Sequence, residues 1–316
     1  MVAMTAQGLP PRMRLLAARN LLVDRLTAEV TGALAVEGIE SLVLKGPALA
    51  EWLYPGEVRP YIDSDLMIAP ADWRPALGVL ERLGFQKYLD PTAHPPIDSC
   101  AATEFLRGSQ NVDLHRTLPG LDGSPDVITA SLMASAERQV IGGAELRIPD
   151  RAALLLNVGL HAAHHARGKA VEDLRRAIAQ ADERLWWQAL EQAREFDGVP
   201  AFASGLRLLP EGVELARRLG IDGVRSTRHE LRRQGIQTAE GIDALLSSGL
   251  GARRQTVIVA REFFPPPRFM RSWTRLARHG RVGLIAAYVW RVIWLLLHVP
   301  VGIVARWRVR RAGSDR

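Results

Sequence analysis

The chain has 316 residues, 47% of them hydrophobic and 24% charged, with a formal net charge of +7. That length holds a sizeable core and about two domains. Its single cysteine, Cys100, excludes an internal disulfide framework and any cysteine-rich zinc site, and fits a reducing cytoplasm.

Arg12, Arg14 and Arg19 interrupt any apolar run near the start, so no signal peptide is expected. Residues 12–37 read as an amphipathic helix, with Leu15, Leu16, Leu22, Val23, Leu26 and Val30 at helical spacing and Gly38 ending it. A strand is expected at about 41–45, a helix at 47–54 and a second strand at 62–68. Asp72 to Leu83 forms a helix closed by Gly84, and Phe85 to Leu89 a strand. Residues 90–100, with Pro91, Pro95 and Pro96, form a loop placed to wall a site. A hairpin follows over 102–107 and 111–118, then a loop over 119–125, a helix near 126–137 and a strand near 144–148. After Pro149 the pattern turns helical, with helices over 150–166, 170–181, 185–196 and 199–209. Residues 211–281 carry two or three helices and a turn at Pro265-Pro266-Pro267.

The end of the chain differs in charge. From Arg253 to Arg316 fourteen arginines face two acids, Glu262 and Asp315, a balance of +12 that leaves about −5 for residues 1–252. The acidic body argues against nucleic acid as a partner and turns attention to what the tail touches. Val282 to Ala305 is strongly apolar, with Tyr288, Trp290 and Trp294, and is interrupted by Arg291, His298 and Pro300. Three readings stand: a helix lying on an anionic membrane surface through 282–311, an ordinary packed helix, and a spanning helix. Arg291 near the middle costs a spanning helix about 2.5–3.5 kcal/mol, and basic flanks on both sides give no orientation.

Chemistry concentrates earlier. Leu42-Val43-Leu44-Lys45-Gly46 is followed by Tyr61-Ile62-Asp63-Ser64-Asp65-Leu66-Met67-Ile68. Alternate residues on a strand share a face, so Asp63 and Asp65 project together while Ile62, Ser64 and Leu66 face the other way. Two like charges so placed need compensation, and hard oxygen ligands suit Mg²⁺. Asp113, alternating with Val112 and Leu114, adds a third acid, and three acids on neighbouring strands fit a two-metal site for in-line phosphoryl transfer.

Lys45-Gly46-Pro47-Ala48-Leu49, Arg59-Pro60-Tyr61-Ile62-Asp63-Ser64-Asp65-Leu66 and Val112-Asp113-Leu114-His115 resemble the uncharacterised nucleotidyltransferases of the DNA polymerase β superfamily. The resemblance continues through Pro149-Asp150-Arg151-Ala152-Ala153-Leu154-Leu155 and Leu160-His161-Ala162-Ala163-His164, and covers roughly residues 10–210. It implies an α+β fold, a small mixed β-sheet nucleotidyltransferase core with helices followed by an α-helical domain. It also implies two Mg²⁺ ions and transfer of a nucleoside monophosphate from an NTP to an acceptor hydroxyl. Three regions are expected: the core over 1–149, the helical domain over 150–250, and a basic C-terminal region over 251–316 with an apolar helix at 282–305. The wider superfamily usually has Gly-Ser after the first strand, where this chain has Gly46-Pro47. Proline has neither hydroxyl nor N–H, so one phosphate contact is missing, although it fits the first turn of a helix, where phosphates would meet the helix N-terminus.

Role by role, Asp63, Asp65 and Asp113 are expected to hold metal, with Asp113 also taking the acceptor's proton. Gly46 lets the backbone approach the phosphates and Lys45 offsets their charge, or pairs with Asp63 or Asp65 at rest. Arg59 clamps a phosphate or is a surface loop residue; His115 touches substrate or is a hydrogen-bonded structural residue. His161, His164 and His165 lie on one helical face. His161 and His165 have metal-ligand spacing, but no glutamate follows His161 as a zinc-protease motif requires, and the face reads as one lining a cleft. Asp173, with Arg175 and Arg176, reads as a solvated helix face. The expected activity is Mg²⁺-dependent nucleotidyl transfer in the cytoplasm, with a hydroxylated small molecule, sugar or peptide as acceptor. The alternative is a catalytically degenerate nucleotide-binding or scaffold protein at a membrane surface.

Overall fold

Residues 10–88, 101–233, 237–247 and 251–314 are described by the computed structural model. The expected loop at 90–100, with its role as a wall, and Cys100 lie outside the described residues, as do the first nine. Up to Val224 the described residues form one compact unit, and from Arg225 a second.

The first unit starts with α1 (Pro11–Val36), whose proline sits in the first turn. Val23, Leu26, Thr27, Val30, Thr31 and Leu34 recur every three or four residues and form its buried stripe. Leu15 and Leu22 of the expected stripe instead face solvent, because they fall off that register. Five strands make a mixed sheet: β1 (Ser41–Val43), β2 (Ser64–Ile68), β3 (Gln86–Lys87), β4 (Ala102–Arg107) and β5 (Gln110–His115), in the order β1-β2-β5-β4-β3. β2 and β5 run parallel, and the other neighbours are antiparallel. Leu42, Leu66, Val112 and Leu114 are fully buried in the core. Between strands lie α2 (Pro47–Leu53) and α3 (Trp73–Arg82).

α4 (Pro125–Ala134) stops short of the expected end near 137, and β6 (Glu137–Ile141) replaces its last turn. β6 pairs with β7 (Ala144–Ile148) around Gly142-Gly143, both with positive φ. Such a two-residue turn needs φ > 0, and Gly-Gly supplies it. A side chain at Gly142 would also lie 2.3 Å from the Asp24 carbonyl, so glycine is what lets this hairpin meet α1.

The sequence after Pro149 is helical as expected: α5 (Arg151–His165), α6 (Lys169–Gln180), α7 (Glu183–Glu195), α8 (Val199–Leu206) and α9 (Pro210–Arg218). Asp150 caps α5 by accepting from the Ala153 amide at 2.7 Å. Eleven residues of α5 are buried, which makes it the central helix. These helices share one hydrophobic core with the sheet, running from Leu26 to Ile221.

The second unit contains α10 (Thr227–Arg233), α11 (Gln237–Ser247), α12 (Ala252–Phe263), α13 (Pro267–Trp273) and a long final helix, α14 (Gly280–Ser314). A small core of Phe269, Met270, Ala277 and Ala287 joins α13 to α14.

Candidate active site

Three turns and strand ends converge on one face of the sheet. The amide of Leu44 donates to the Asp65 carbonyl at 3.0 Å, so Lys45 leaves the sheet beside the start of β2. Gly46 then turns the chain with φ 63° and ψ −111°, a conformation suited to glycine, and Pro47 opens α2 in its first turn. A side chain at Gly46 would pack 3.5 Å from the Tyr61 ring. Asn157 of α5 donates to the Leu44 carbonyl at 3.1 Å, which fixes α5 beneath this turn.

Asp65 stands directly opposite Asp113 in the parallel pairing of β2 with β5. His115 follows Asp113 on the same side of its strand, and its Nε2 lies 3.2 Å from Asp65 Oδ1. One ligand atom from each of Asp65, Asp113 and His115 falls within 4.8 Å of the others. Lys45 Nζ lies 2.8 Å from the same Oδ1. Asp63 sits in the bend just before β2, half-buried; the strand starts at Ser64 rather than at 62. Ser64 and Leu66 face away into the core as expected, whereas Ile62 is exposed. Asp63 is outside the 4.8 Å cluster, but its charge acts on both Lys45 and Asp113.

The two facing carboxylates are held in different states. Burial works against charge on Asp65, but Lys45 and His115 outweigh it and keep the group below the usual carboxylate range. Burial, then the charges of Asp65 and Asp63, push Asp113 up to about 7. Burial also opposes charge on Lys45, yet Asp65, with Asp63 and Asp113 behind it, holds its ammonium above the ordinary value. Asp113 Oδ1 and His115 Nδ1 are buried with no hydrogen-bond partner among the described residues. Two carboxylates and an imidazole with unsatisfied buried atoms suit a hard or borderline divalent cation.

Arg59 is not a surface arginine, and its Nη1 is buried with no hydrogen-bond partner among the described residues. Its Nε and Nη2 donate to the two oxygens of Asp173 at 2.9 and 2.6 Å, and both side chains are only 1% exposed. Tyr54 donates to the same carboxylate at 2.7 Å. This corrects the reading of Asp173 as solvated: α6 turns it inward to meet a buried guanidinium, while Arg175 and Arg176 pair with Glu172 and, for Arg176, Glu57. Arg59 thereby holds the 54–61 segment, which α1 grips from its other side. Asn20 donates to the Arg59 carbonyl at 2.8 Å, and Tyr61 donates to Asp24 at 2.8 Å. Lys169 adds a bond to the Pro60 carbonyl at 3.2 Å. The segment leading into Asp63 is thus fixed on two sides.

His161 belongs to the helical face expected to line a cleft. It lies one turn beyond Asn157 on α5, and burial, then the positive charges of Lys45 and His165, lower it to about 2. The charges of Lys45 and Asp65 both act on it, and the depressed value keeps the imidazole neutral. Its i+4 spacing from Asn157 was the available signal. The rings of His161 and His165 pack edge to face at 4.4 Å.

A family profile described as uncharacterised nucleotidyltransferase matches residues 3–212. No curated protein matches the chain. Among solved structures, ANT(2″)-Ia in complex with adenylyl-2″-tobramycin is 16% identical, with TM-score 0.40, over 55% of this chain and 98% of that one. An antigenic nucleotidyltransferase-like protein from Paracoccidioides brasiliensis is 15% identical, with TM-score 0.34, over 60% and 94% of the two chains. A tRNA-processing enzyme in its apo form is 13% identical, with TM-score 0.27, over 82% and 78%.

Proposed function

The chain belongs to the uncharacterised nucleotidyltransferase family, and from that premise we propose that it moves a nucleoside monophosphate from an NTP, ATP among the candidates, to a hydroxyl of an acceptor. The acceptor oxygen forms a bond to the α-phosphorus, the bond from that phosphorus to the β-phosphate oxygen breaks, and pyrophosphate leaves. The observation that carries this reading is Asp65 facing Asp113 across β2 and β5 at the foot of the Lys45-Gly46 turn.

Asp63, Asp65 and Asp113 would hold Mg²⁺, two ions in this reading, with His115 beside them. Such ions would offset phosphate charge and acidify the acceptor hydroxyl. Asp113 would also take the hydroxyl proton, as the carboxylate that faces Asp65 from the neighbouring strand. Lys45 shares its charge between Asp65 at rest and phosphate oxygens in the complex. Gly46 brings backbone close to the phosphates without a side chain in the way. Arg59 acts through position in this structure, by setting the segment that carries Asp63. The acceptor is a hydroxylated small molecule, sugar or peptide, and the setting is cytoplasmic.

The test is transfer of label from α-³²P-labelled NTPs in a cell lysate, comparing the native chain with Asp65→Asn and Asp113→Asn. Label carried by the native chain alone supports the reading; equal labelling by all three rejects it. Calorimetry with each NTP, with and without Mg²⁺, separates the remaining case. Metal-independent binding without turnover would make the chain a nucleotide-binding scaffold instead.

A further inference from the structure

The final helix α14 has two faces of opposite character. Gly283, Ala287, Arg291 and Leu295, spaced by four, are buried against the rest of the second unit, and Gly302 continues that face. Close approach is built in: a side chain at Gly283 would lie 2.3 Å from the Leu276 carbonyl, and one at Gly302 would lie 3.1 Å from the Ala239 amide. Arg291, the residue that interrupts the apolar run, points inward. Its Nε donates to the Glu262 carbonyl at 2.7 Å, and its guanidinium lies about 5 Å from the rings of Phe269 and Trp273.

The opposite face is apolar and bare. Ile285, Val289, Ile293, Leu296 and Val304 lie along it at helical spacing, each at least 44% exposed, with Trp290 on its flank and Trp307 at its far end. Between Arg281 and Arg306 the helix carries no charge except the inward Arg291, and it contains no acid anywhere along its length. Its ends are arginine-rich on both sides, with Arg278 and Arg281 before the apolar run and Arg306, Arg308, Arg310 and Arg311 after it.

We propose that this face of α14 lies in the plane of an anionic lipid bilayer surface, its apolar side chains below the headgroups and its terminal arginines among the lipid phosphates. Charge decides between occupants. A second copy laid along this face, parallel or antiparallel, would bring arginine clusters against arginine clusters, whereas anionic lipid complements both ends. The packed face decides between lying and spanning. α12 and α13 meet α14 inside its apolar run, at Arg291 and Ala287, and carry Arg261, Arg268 and Arg271 close to those contacts, which a spanning α14 would drag into the bilayer. In-plane docking keeps those residues on the water side.

The test is flotation of the full chain with phosphatidylcholine vesicles, with and without phosphatidylglycerol, beside Ile293→Glu and the milder Ile285→Gln/Ile293→Gln pair. Both sets change exposed side chains, and circular dichroism checks that they fold. The expected result is flotation with the phosphatidylglycerol vesicles that high salt or alkaline carbonate releases, reduced at least about tenfold in Ile293→Glu. Brominated lipid should quench native fluorescence, and less so in Trp290→Phe. Flotation that resists carbonate, flotation unchanged in Ile293→Glu, or no flotation at all overturns the proposal. A dimer by light scattering that Ile293→Glu dissolves overturns it in favour of a second copy.

Discussion

Asp65 and Asp113 stand opposite each other across two parallel strands, yet among the described residues only Asp65 has a cation of its own. Lys45 and His115 converge on its Oδ1, while a buried oxygen of Asp113 has no partner among the described residues. This asymmetry keeps one carboxylate ionised and leaves the other poised to exchange a proton near neutral pH.

Asp113→Asn is therefore expected to stabilise the metal-free protein at pH 8 while abolishing transfer. The raised carboxyl favours its neutral form in the fold, so its contribution to stability is lost progressively as pH rises from about 4 to about 7 and the penalty is complete above that. Asparagine removes that charge. The difference in Tm between variant and native should shrink as pH falls from 8 towards 4. His161, lowered in the fold, contributes an opposite slope below its ordinary value, but equally in both proteins. Loss of general-base chemistry alone is worth roughly 10²–10⁴-fold in rate. A variant less stable than native at pH 8 would contradict the account of Asp113.

Mg²⁺ should compete with that proton. Below pH 7 its apparent affinity is expected to fall about tenfold per pH unit, the dependence set by displacing one proton. Calorimetric titration between pH 6 and pH 8 measures it, and a flat profile would remove Asp113 from the ligands.

Lys45→Met leaves the buried Asp65 charge without its nearest cation. A loss of about 3 kcal/mol is expected in urea unfolding, because an unpaired buried charge costs more than the pair contributes. Added Mg²⁺ should restore part of the loss in this variant. Failure of Mg²⁺ to do so would argue that the cation does not share Asp65 with the lysine.

Arg59→Gln and Asp173→Asn should each cost about 3–5 kcal/mol, since each strands a charged partner in the core. The double variant is expected to be much less damaged than the sum of the two. Steady-state kinetics gives the functional side: if Arg59 sets the Asp63 segment, both single variants lower kcat alike. A KM effect confined to Arg59→Gln would instead make it a phosphate contact.

Much of the first unit was legible because its signals are local. Strand alternation put Asp65 and Asp113 each on one face, Gly108-Ser109 marked the β4–β5 hairpin, and Asp150 marked the start of α5. The β6–β7 hairpin was missed, although Gly142-Gly143 is a hairpin turn, because Glu137 to Ile141 carries no clean alternation to set against the preceding helix. Asp173 reads as solvated because its neighbours Arg175 and Arg176 are charged, whereas the partner that buries it lies 114 residues away.

The sequence by itself determined the family, the order of helices and strands, the acidic pair before and within β2, and an apolar segment framed by arginines. Periodicity and short motifs carry that information because they act over a few residues. Tertiary structure alone decided that β5 runs parallel beside β2 with Asp113 opposite Asp65, that Arg59 belongs to Asp173, and that Arg291 turns inward and leaves one face of α14 uncharged. Each of these rests on a partner distant in the chain, and the free energy of a buried charge depends on that partner rather than on its neighbours in sequence.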